Sequence, residues 1–498
     1  MSQPIYLLGL DIGSSSVKAS AVNAETGTSI GSAMSPKKEM EMISVESGWA
    51  EQHPHMWWEH TVKAVRKAIA DNSIRAENIK AIGISYQMHG LVAVDKNRQV
   101  LRPSIIWCDS RAAEIGKKAF HDLGEEYCLK HFLNSPGNFT ASKLKWVREN
   151  EPEIYQKIDK IMLPGDYIAM KLTGRICTTV SGLSEGILWD HLNDKLATKL
   201  LDYYGISGDL IPEPLASFDL HGELTSPAAG ELGIQPGTKV SYRAGDQPNN
   251  ALSLNVLNPG EVAATAGTSG VVYGITDQPD YDPKSRVNSF AHVNHSASTP
   301  RYGVLLCVNG TGILNSWLKR ILSNTDEVSY DRMNQLAVKA PIGADGLTIF
   351  PFGNGAERIL ENRNTGAQLR GLDFNRHDTT HLLRAGQEGI VFALNYGFDI
   401  MKEMGMNMET VRAGHSNMFL SPLFREAFVN VTGTTLELYN TDGSQGAARG
   451  AGLGAGIYQN YDEAFQGLEV KEITEPEPDK AAAYTDAYSN WLARMPHE

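Results

Sequence analysis

The chain has few cysteines and no long apolar run. Its four cysteines lie far apart and form no Cys-x-x-Cys pair: Cys108, Cys128, Cys177 and Cys307. This pattern argues against a structural zinc site and favours a reducing compartment. No apolar run approaches the ~18 residues needed to span a bilayer, and Asp11 interrupts the apolar stretch near the N-terminus, which argues against a secretory signal. We therefore expect a soluble, cytoplasmic protein without a membrane partner.

Positive charge is also in short supply. The 45 Lys and Arg residues are outnumbered by 58 Asp and Glu residues, which gives a net charge of −13. Such a balance disfavours nonspecific binding to nucleic acids or to anionic membranes. The sequence also has no Gly-x-x-x-x-Gly-Lys-Ser/Thr segment and no His-Arg-Asp loop, which excludes P-loop and protein-kinase folds. An anionic substrate must then be held by local dipoles, a metal ion or a few cations.

The length and the patterning predict two α/β domains. A chain of 498 residues is too long for one core. Two β-rich runs, Ile5–Leu10 and Val17–Val22, form a hairpin around a Gly/Ser turn, and the segment Val262–Tyr273 repeats this plan. The repetition hints at a duplication. We place the domain boundary between residues 245 and 246, after a looser region rich in Gly and Pro.

Several further elements follow from apolar periodicity. The predicted strands are Ile79–Ser85, Leu91–Val94, Leu347–Phe350 and Thr410–Ala413. The predicted helices are Met56–Ala70, Asp166–Leu172, Thr311–Leu322, Thr380–Met404 and Met418–Val431, the last with a buried stripe of Leu420, Phe424, Ala427 and Val431. Two histidines three residues apart, His292 and His295, are expected at the surface rather than at a metal site.

Three tight turns carry the chemistry that the sequence suggests. The first surrounds Asp11 in Gly9–Ser16, the second contains Asp246 in Arg-Ala-Gly-Asp-Gln-Pro, and the third is Ala266–Gly270. Gly and Ser turns bring bare N–H groups and hydroxyls close to phosphate oxygens. An aspartate beside them can hold Mg²⁺ or take the proton of an attacking hydroxyl. Together the turns indicate a phosphoryl-transfer site divided between two domains.

These turns also support a family resemblance. Together with Gln87-Met88-His89-Gly90, Trp107-Cys108-Asp109-Ser110-Arg111 and the C-terminal glycine-rich run, they resemble the FGGY carbohydrate kinases, and within them the xylulokinase subfamily. The resemblance implies an α/β fold of two actin-like (ribonuclease H-like) domains flanking a catalytic cleft. Residues 1–245 would form the sugar-binding domain and residues 246–498 the nucleotide-binding domain. The implied reaction moves a phosphoryl group from ATP, with Mg²⁺, to D-xylulose.

The resemblance also assigns roles residue by residue. Asp246 would be the general base, and Asp11 and Asp246 would lie at the metal. The ketose would be contacted by Gln87, Met88, His89, Trp107, Asp109 and Arg111. The nucleotide would be bound by Asp11, Gly13, Ser14, Ser15, Lys18, Gly267, Thr268, Ser269, Gly414, His415 and Asn417.

Two departures from the family pattern leave alternatives open. Cys108 stands where xylulokinases usually have asparagine, and the run from Ala413 to Asn417 replaces the usual Gly-Gly-Gly-Ala-Arg-Ser on the adenine side. The alternatives are an FGGY kinase for another ketose, a polyol or an aldonate, and a non-catalytic sugar sensor. The expected partners are the sugar and MgATP, with a homodimer as one option for assembly.

Overall fold

The computed structural model describes residues 3–323 and 328–496, which form two mixed β-sheets flanked by helices. The strands of the first half are β1 (Tyr6–Ile12), β2 (Val17–Asn23), β3 (Ser29–Ser35), β4 (Glu51–Gln52), β5 (Ile79–Tyr86), β6 (Val92–Val94), β7 (Ser104–Ile105), β8 (Lys160–Met162), β9 (Thr178–Thr179), β10 (Trp189–Asp190), β11 (Lys195–Leu196), β12 (Pro214–Leu215), β13 (Gly222–Glu223) and β14 (Lys239–Gly245). The helices of the first half are α1 (Pro54–Asp71), α2 (Ala113–Leu123), α3 (Glu125–Phe132), α4 (Thr140–Asn150), α5 (Pro152–Tyr155), α6 (Pro164–Thr173), α7 (Val180–Glu185), α8 (Thr198–Tyr204) and α9 (Ser226–Leu232).

The second half begins with α10 (Asp246–Ser253). Its strands are β15 (Val262–Ala266), β16 (Gly270–Thr276), β17 (Asn288–Ala291), β18 (Tyr302–Val308), β19 (Thr348–Phe350), β20 (Gln368–Arg370), β21 (Thr410–Gly414), β22 (Thr435–Tyr439) and β23 (Val470–Thr474). Its other helices are α11 (Gly312–Leu322), α12 (Tyr330–Ala337), α13 (Thr379–Glu403), α14 (Pro422–Thr432), α15 (Gly443–Gly454), α16 (Tyr461–Phe465) and α17 (Pro478–Ala493). Short 3-10 helices cover Ala76–Asn78, Gly208–Leu210, Ala344–Gly346, Arg358–Leu360 and Asn417–Leu420.

The two main sheets share one strand order. In the first, β3, β2 and β1 are antiparallel neighbours, and β5 and β14 continue the sheet parallel to β1. In the second, β18, β16 and β15 are antiparallel, and β21 and β22 continue it in parallel. Both sheets gain extra edge strands, β13 in the first and β17 and β23 in the second. The shared order supports the duplication that the two hairpins suggest.

Helices cover both faces of the first sheet. Leu8 and Leu10 pack in one buried cluster with residues of α1 and α6, whereas Leu7 packs in another with Ala447 and Ala451 of α15. Successive residues of a strand point to opposite faces, so α15 lies across the sheet from α1. The first sheet is therefore completed by a helix from the C-terminal part of the chain.

Glycines in the strands let α15 approach closely. A Cβ on Gly9 of β1 would lie 1.7 Å from the Ser444 carbonyl oxygen, and one on Gly83 of β5 would lie 2.0 Å from the Ala447 oxygen. Neither position can hold a larger residue without moving the helix backbone. The close contact brings the N-terminus of α15 to the end of β1. The domain boundary at 245/246 stays a prediction, although β14 ends at Gly245 and α10 begins at Asp246.

Side chains of the first half hold edge strand β17 of the second. Asn134 donates to the Ser289 carbonyl (2.6 Å) and accepts from the Ser289 N–H (3.1 Å). Ser181 donates to the Ala291 carbonyl, and the Ala291 N–H donates to Ser184, both at 2.9 Å. These groups satisfy edge hydrogen bonds that a further strand would otherwise take. The two halves are thus joined at β17.

Most predicted elements are confirmed to within a few residues, and two expectations are wrong. The helix expected over Met418–Val431 is a 3-10 turn followed by α14, because Pro422 starts a new helix capped by Ser421. Leu420, expected in the buried stripe, is 51% exposed. His292, expected at the surface, is buried against Tyr273 and the Val256 carbonyl. Over residues 3–323 and 328–496, no helix is both long and apolar enough to cross a bilayer.

Candidate active site

Asp11 lies near the end of β1, beside the N-terminus of α15. Its Oδ1 accepts a hydrogen bond from Ser85 Oγ at 2.9 Å. Gly443, the first residue of α15, is so close that a Cβ there would lie 2.7 Å from Asp11 Oδ2. Burial and the nearby Asp442 carboxylate raise the pKa of Asp11, opposed by the Ser85 hydrogen bond and Lys18. Asp11 is therefore a desolvated carboxylate with little room around it.

Asp442 is a cleft residue that the sequence interpretation missed. It caps α15 by accepting from the Gln445 N–H at 3.0 Å, and it forms an ion pair with Lys18 Nζ at 2.8 Å. Lys18, expected to bind the nucleotide, is thus engaged by a carboxylate. The signal in the sequence was Asp442 itself, because Asp directly before a helical segment is a preferred N-cap residue.

Asp246 is the first residue of α10, directly after β14. Its side chain is partly exposed in the cleft. Desolvation and the charge of Asp11 raise its pKa to about 7, opposed by hydrogen bonds from Gln247 and its own backbone. Because the charge of Asp11 disfavours ionisation of Asp246, a cation near these two carboxylates would be favoured. The pair that the sequence placed 235 positions apart is brought together here.

The donor set suits Mg²⁺ better than a dedicated protein cage. In the part of the chain that the structure describes, no group of three or more His, Cys, Asp and Glu side chains could hold a metal. Mg²⁺ keeps several waters and uses one or two carboxylates together with substrate phosphates. Asp11 and Asp246 supply two desolvated carboxylates, which is the number of protein ligands that such a Mg²⁺ site uses.

The first Gly/Ser turn, residues 13–16, connects β1 to β2. The Gly13 N–H donates to the Ser16 carbonyl at 3.0 Å, which closes the turn. The carbonyls of Ser14 and Ser15 accept from Gln52 Nε2 (2.7 Å) and the Met40 N–H (2.8 Å). These contacts fix the turn beside Asp11, where the sequence predicts a phosphate site.

The second turn, residues 267–269, rests on the N-terminus of α11. The Gly312 N–H donates to the Gly267 carbonyl (2.9 Å), and the Ile313 N–H donates to the Thr268 carbonyl (3.1 Å). A Cβ on Gly312 would lie 2.3 Å from the Gly267 oxygen, so this contact requires glycine. The Thr268 side chain stays exposed.

A cavity of about 590 Å³ opens beside the second turn. This size is in the usual range for small-molecule sites. Besides Gly267 and Thr268 it is lined by Ile313, Asn315, Ser316, Arg320, Tyr330, Asp331, Asn334, Asn417 and Leu420. Of these, only the turn and Asn417 were expected, because the α11 and α12 residues carry no motif.

Gly414 and His415 do not line this cavity. A Cβ on Gly414 would lie 3.7 Å from the Thr441 oxygen, so Gly414 is next to the cap of α15. His415 is largely exposed and lies 3.8 Å from the Glu472 carboxylate. Asn417 lines the cavity and Gly414 and His415 lie outside it, and the nucleotide contacts of all three stay predictions.

His89 occupies the turn between β5 and β6 with a φ of +61°, a strained value for a residue that is not glycine. Its ring lies 4.8 Å from the Phe139 ring and 5.5 Å from the Phe290 ring. Burial lowers its pKa to about 3, so the ring is neutral at physiological pH. Nδ1 lies 3.0 Å from the Glu185 carbonyl, which can only accept. Nδ1 therefore carries the proton and Nε2 is left as an acceptor.

Glu185 is a second cleft residue that the sequence interpretation missed. The Tyr86 hydroxyl donates to Oε1 at 2.7 Å, and the His89 N–H donates to Oε2 at 3.1 Å. Burial raises the pKa of Glu185 well above its ordinary value, and Asp246 contributes in the same direction. Its carboxyl thus fixes the strained turn at His89. Nothing in its local sequence marked it.

Three expected sugar residues line or support this region. Met88 is buried against Gly245, where a Cβ would lie 2.6 Å from Met88 Cγ. Gln87 is buried, and its N–H donates to the Ile12 carbonyl at 2.8 Å. Trp107 is 52% exposed, and its Nε1 lies 3.3 Å from Ser14 Oγ in the first turn. Trp107 therefore lies beside the first Gly/Ser turn, where the sequence predicts a phosphate site.

Asp109 and Arg111, both expected to contact the sugar, are buried and hydrogen-bonded inside the protein. The Asp109 side chain is fully buried and accepts from the Ala50 N–H (2.7 Å) and from Arg111. Arg111 also pairs with Glu51 at 2.6 Å and stacks over Trp49, 3.9 Å from its ring centre. These bonds connect the loops around Trp49 and Trp107, and contact of Asp109 and Arg111 with a sugar stays a prediction.

Lys143 of α4 links the His89 turn to the loop that carries Trp107, the two segments that are predicted to bind the sugar. It is fully buried and donates to the carbonyls of His89 (2.8 Å) and Ile106 (2.9 Å). Burial lowers its pKa to about 8. The lysine thereby holds the His89 turn against the loop that carries Trp107.

Comparisons with known proteins agree with this geometry. Residues 6–253 match the N-terminal domain model of the FGGY family of carbohydrate kinases, and residues 262–457 match its C-terminal domain model. The chain is similar to the xylulose kinase of Bacillus subtilis, with 30% identity over 478 residues that cover 93% of this chain and 90% of the relative. It is also similar to the L-xylulose/3-keto-L-gulonate kinase of Escherichia coli, with 29% identity over 479 residues, or 93% and 91% of the two chains.

A solved structure shares the fold. The crystal structure of a xyloylose kinase from Brucella ovis superposes with a TM-score of 0.89 at 24% identity and covers 99% of both chains. The protein therefore has the actin-like fold, in which two similar α/β domains flank a cleft. With the matching family models, this makes the protein an ATP-dependent sugar kinase that uses Mg²⁺. The chain belongs to the FGGY family of carbohydrate kinases.

Proposed function

We propose that the protein transfers the γ-phosphoryl group of ATP to the primary hydroxyl of D-xylulose, forming D-xylulose 5-phosphate, with Asp246 as general base. The observation that carries the proposal is the position of Asp246. It starts a helix in the cleft, next to Asp11, with its pKa raised to about 7. A base with a pKa near the working pH is well matched to taking a proton during transfer.

The proposed reaction needs little covalent participation by the protein. The sugar oxygen forms a bond to the γ-phosphorus while the bond from the γ-phosphorus to the β–γ bridging oxygen breaks, and ADP leaves with that electron pair. The hydroxyl proton passes to an Asp246 carboxylate oxygen. Such transfers pass through a loose transition state, so catalysis depends on position and on charge neutralisation.

Asp11, with Asp246 alongside, would hold Mg²⁺. When bound, the ion would neutralise charge on the β- and γ-phosphates and lower the pKa of both carboxylates. The residues' own contribution is to restrict Asp11: Gly443 lies close to its Oδ2, and Ser85 donates to its Oδ1. That restriction would present the same carboxylate oxygen to each incoming substrate.

The assignment of D-xylulose rests on two kinds of support. Curated relatives named xylulose kinases match over most of the chain at about 30% identity. In the cleft, neutral His89 offers Nε2 as an acceptor for a sugar hydroxyl, and its aromatic neighbours exclude water. A neutral acceptor suits an uncharged polyhydroxy ketone. We assign residues 1–245 to sugar binding and residues 246–498 to nucleotide binding, with ATP in the cavity beside the second turn.

The second candidate is an FGGY kinase for another ketose, a polyol or an aldonate. The similarity to an L-xylulose/3-keto-L-gulonate kinase, nearly as high as that to the xylulose kinases, favours keeping it. Cys108, exposed next to Trp107, lies in the loop that would distinguish these substrates.

ADP release with MgATP tests both candidates. D-xylulose, D-ribulose, L-xylulose, glycerol and gluconate are compared, and NMR of the product locates the phosphate. Turnover that is strongest on D-xylulose and disappears in Asp246→Ala is the expected result. Asp202→Asn, at an exposed aspartate of α8, serves as the matched control. Stronger turnover on another sugar would favour the second candidate. A folded Asp246→Ala variant that keeps its activity would show that Asp246 is not the general base.

A further inference from the structure

The second half of the chain brings one cation to the cleft that the mechanism above does not use. Arg358 begins the 3-10 helix that follows Glu357. Its Nη1 donates to the Ser285 carbonyl at 3.2 Å, and its guanidinium carbon lies 5.7 Å from the centre of the Phe139 ring. Nη1 also donates to the Ser285 hydroxyl at 3.5 Å, so the side chain is held by two oxygens of Ser285 and by one aromatic face.

The neighbours of Arg358 place it between the sugar side and the phosphate side. On one side, Phe139 packs edge-on against the His89 ring at 4.8 Å, and the charge of Arg358 helps to lower the pKa of His89. On the other side is Cys307, whose thiol interacts with Arg358, with Ser269 of the second phosphate turn and with Asp246. Cys307 also pairs with Val271 of β16, directly after the second turn, so Arg358 lies close to that turn.

Arg358 forms no ion pair with a carboxylate in residues 3–323 and 328–496. The adjacent Glu357 carboxylate instead accepts from the Asn309 N–H, at 3.1 and 3.0 Å. Burial, with the thiol of Cys307 as its one opposing influence, lowers the pKa of Arg358 to about 10, so the side chain stays charged at neutral pH. A desolvated guanidinium without a carboxylate is costly unless an anion completes it. Its planar donor fork matches phosphate oxygens.

We propose that Arg358 is a catalytic residue that donates hydrogen bonds to the phosphoryl group as it passes from ATP to the sugar oxygen. The donor comes from the second half of the chain. The Arg358 side chain reaches the reacting phosphoryl group when both substrates are bound. It neutralises the equatorial oxygens of the phosphorus while the bond to the bridging oxygen breaks and the new oxygen–phosphorus bond forms. This inference rests on the proposed placement of ATP and sugar, but not on which sugar is used.

Two substitutions test the role, with the sugar that gives the highest turnover. Arg358→Ala should lower kcat by about 10²–10³-fold, the usual effect of removing one donor to a transition-state charge. Arg358→Lys should lose less, because it keeps the charge but not the fork. The KM for sugar and the Kd for MgATP should change less than about threefold. Guanidinium ion at non-denaturing millimolar concentration should partly restore Arg358→Ala.

The controls separate this role from a structural one. Arg376→Gln, at an exposed arginine near Asp345, should leave kcat unchanged, and thermal unfolding reports the integrity of each variant. The proposal is overturned if Arg358→Ala keeps kcat within about fivefold. It is also overturned if the loss lies in the KM for sugar alone, or if guanidinium restores nothing. Should Arg358→Ala not fold, the kcat of Arg358→Lys decides. If Asp246 is not the general base, the Asp246→Ala variant keeps its activity, and this result is independent of the outcome for Arg358.

Discussion

Replacing Asp246 with asparagine should stop catalysis and stabilise the fold at the same time. Asparagine keeps the size of the side chain but can neither accept the sugar proton nor carry the charge that opposes Asp11. Loss of a general base lowers turnover by about 10²–10⁴-fold. The stabilisation is worked from the pKa of Asp246, which rises from an ordinary value of 3.8 to about 7 because of desolvation and of Asp11.

The sign and the pH window follow from that pKa. Between pH 3.8 and about 7 the folded state keeps a proton on Asp246 that the unfolded state has lost. The wild-type free energy of unfolding therefore falls as pH rises through this window. A rise from 3.8 to about 7 corresponds to about 4 kcal/mol, an upper bound because water enters the cleft. We expect Asp246→Asn to be more stable than wild type by about 1–3 kcal/mol at pH 8 and equal to it near pH 4.

Urea unfolding at several pH values, without Mg²⁺, measures this difference, and ADP release measures the activity. Asp202→Asn is the matched control and should show neither effect. Mg²⁺ should reduce the stability gap, because the ion offsets the repulsion between Asp11 and Asp246 in the wild type. An Asp246→Asn protein that is less stable than wild type at pH 8, or a gap that does not shrink on acidification, would refute the reasoning.

Substitutions at three other positions test the remaining geometry. Gly443→Ala should push a methyl group against Asp11 and lower kcat by tenfold or more, while circular dichroism stays unchanged; wild-type kcat would contradict the close approach. Gly312→Ala should displace the second phosphate turn and raise the KM for MgATP with little effect on that for sugar, as initial-rate kinetics would show. Glu185→Gln should be nearly neutral, because burial raises the pKa of this carboxyl and so favours its uncharged form. Glu185→Ala should unfold about 1–3 kcal/mol more easily and raise the KM for sugar, since the His89 N–H loses its acceptor. Equal effects of the two Glu185 substitutions would refute this account.

Local patterns predicted the elements well. The hairpin around Asp11, the helix after Pro54 and the long buried helix α13 follow from periodicity and from Gly and Pro positions that act within a few residues. The expectation of one helix over Met418–Val431 was wrong, because Pro422 begins a new helix while the apolar spacing continues across it. Periodicity shows that a segment has an apolar face, but it does not show whether that segment is one helix or two.

The site divides in a similar way. Family motifs pointed to Asp246, both Gly/Ser turns and His89, because each is a short segment with its own backbone requirement. They also pointed to Asp109 and Arg111, whose roles stay predictions but whose side chains the fold turns inward to Glu51 and Trp49. A motif marks which residues are constrained, and it does not distinguish contact with a ligand from support of a loop.

By itself, the sequence determined the two-domain α/β class, the kinase chemistry and the turns that carry it. Tertiary structure alone decided which distant groups meet. The return of α15 to the first sheet places Asp442 and Gly443 beside Asp11, and strand β17 with Arg358 brings the second half to the His89 side of the cleft. The physical reason is that secondary structure is set by residues a few positions apart. The pKa of Asp246 and the partners of Arg358 depend instead on charges and burial that exist only after both sheets have packed.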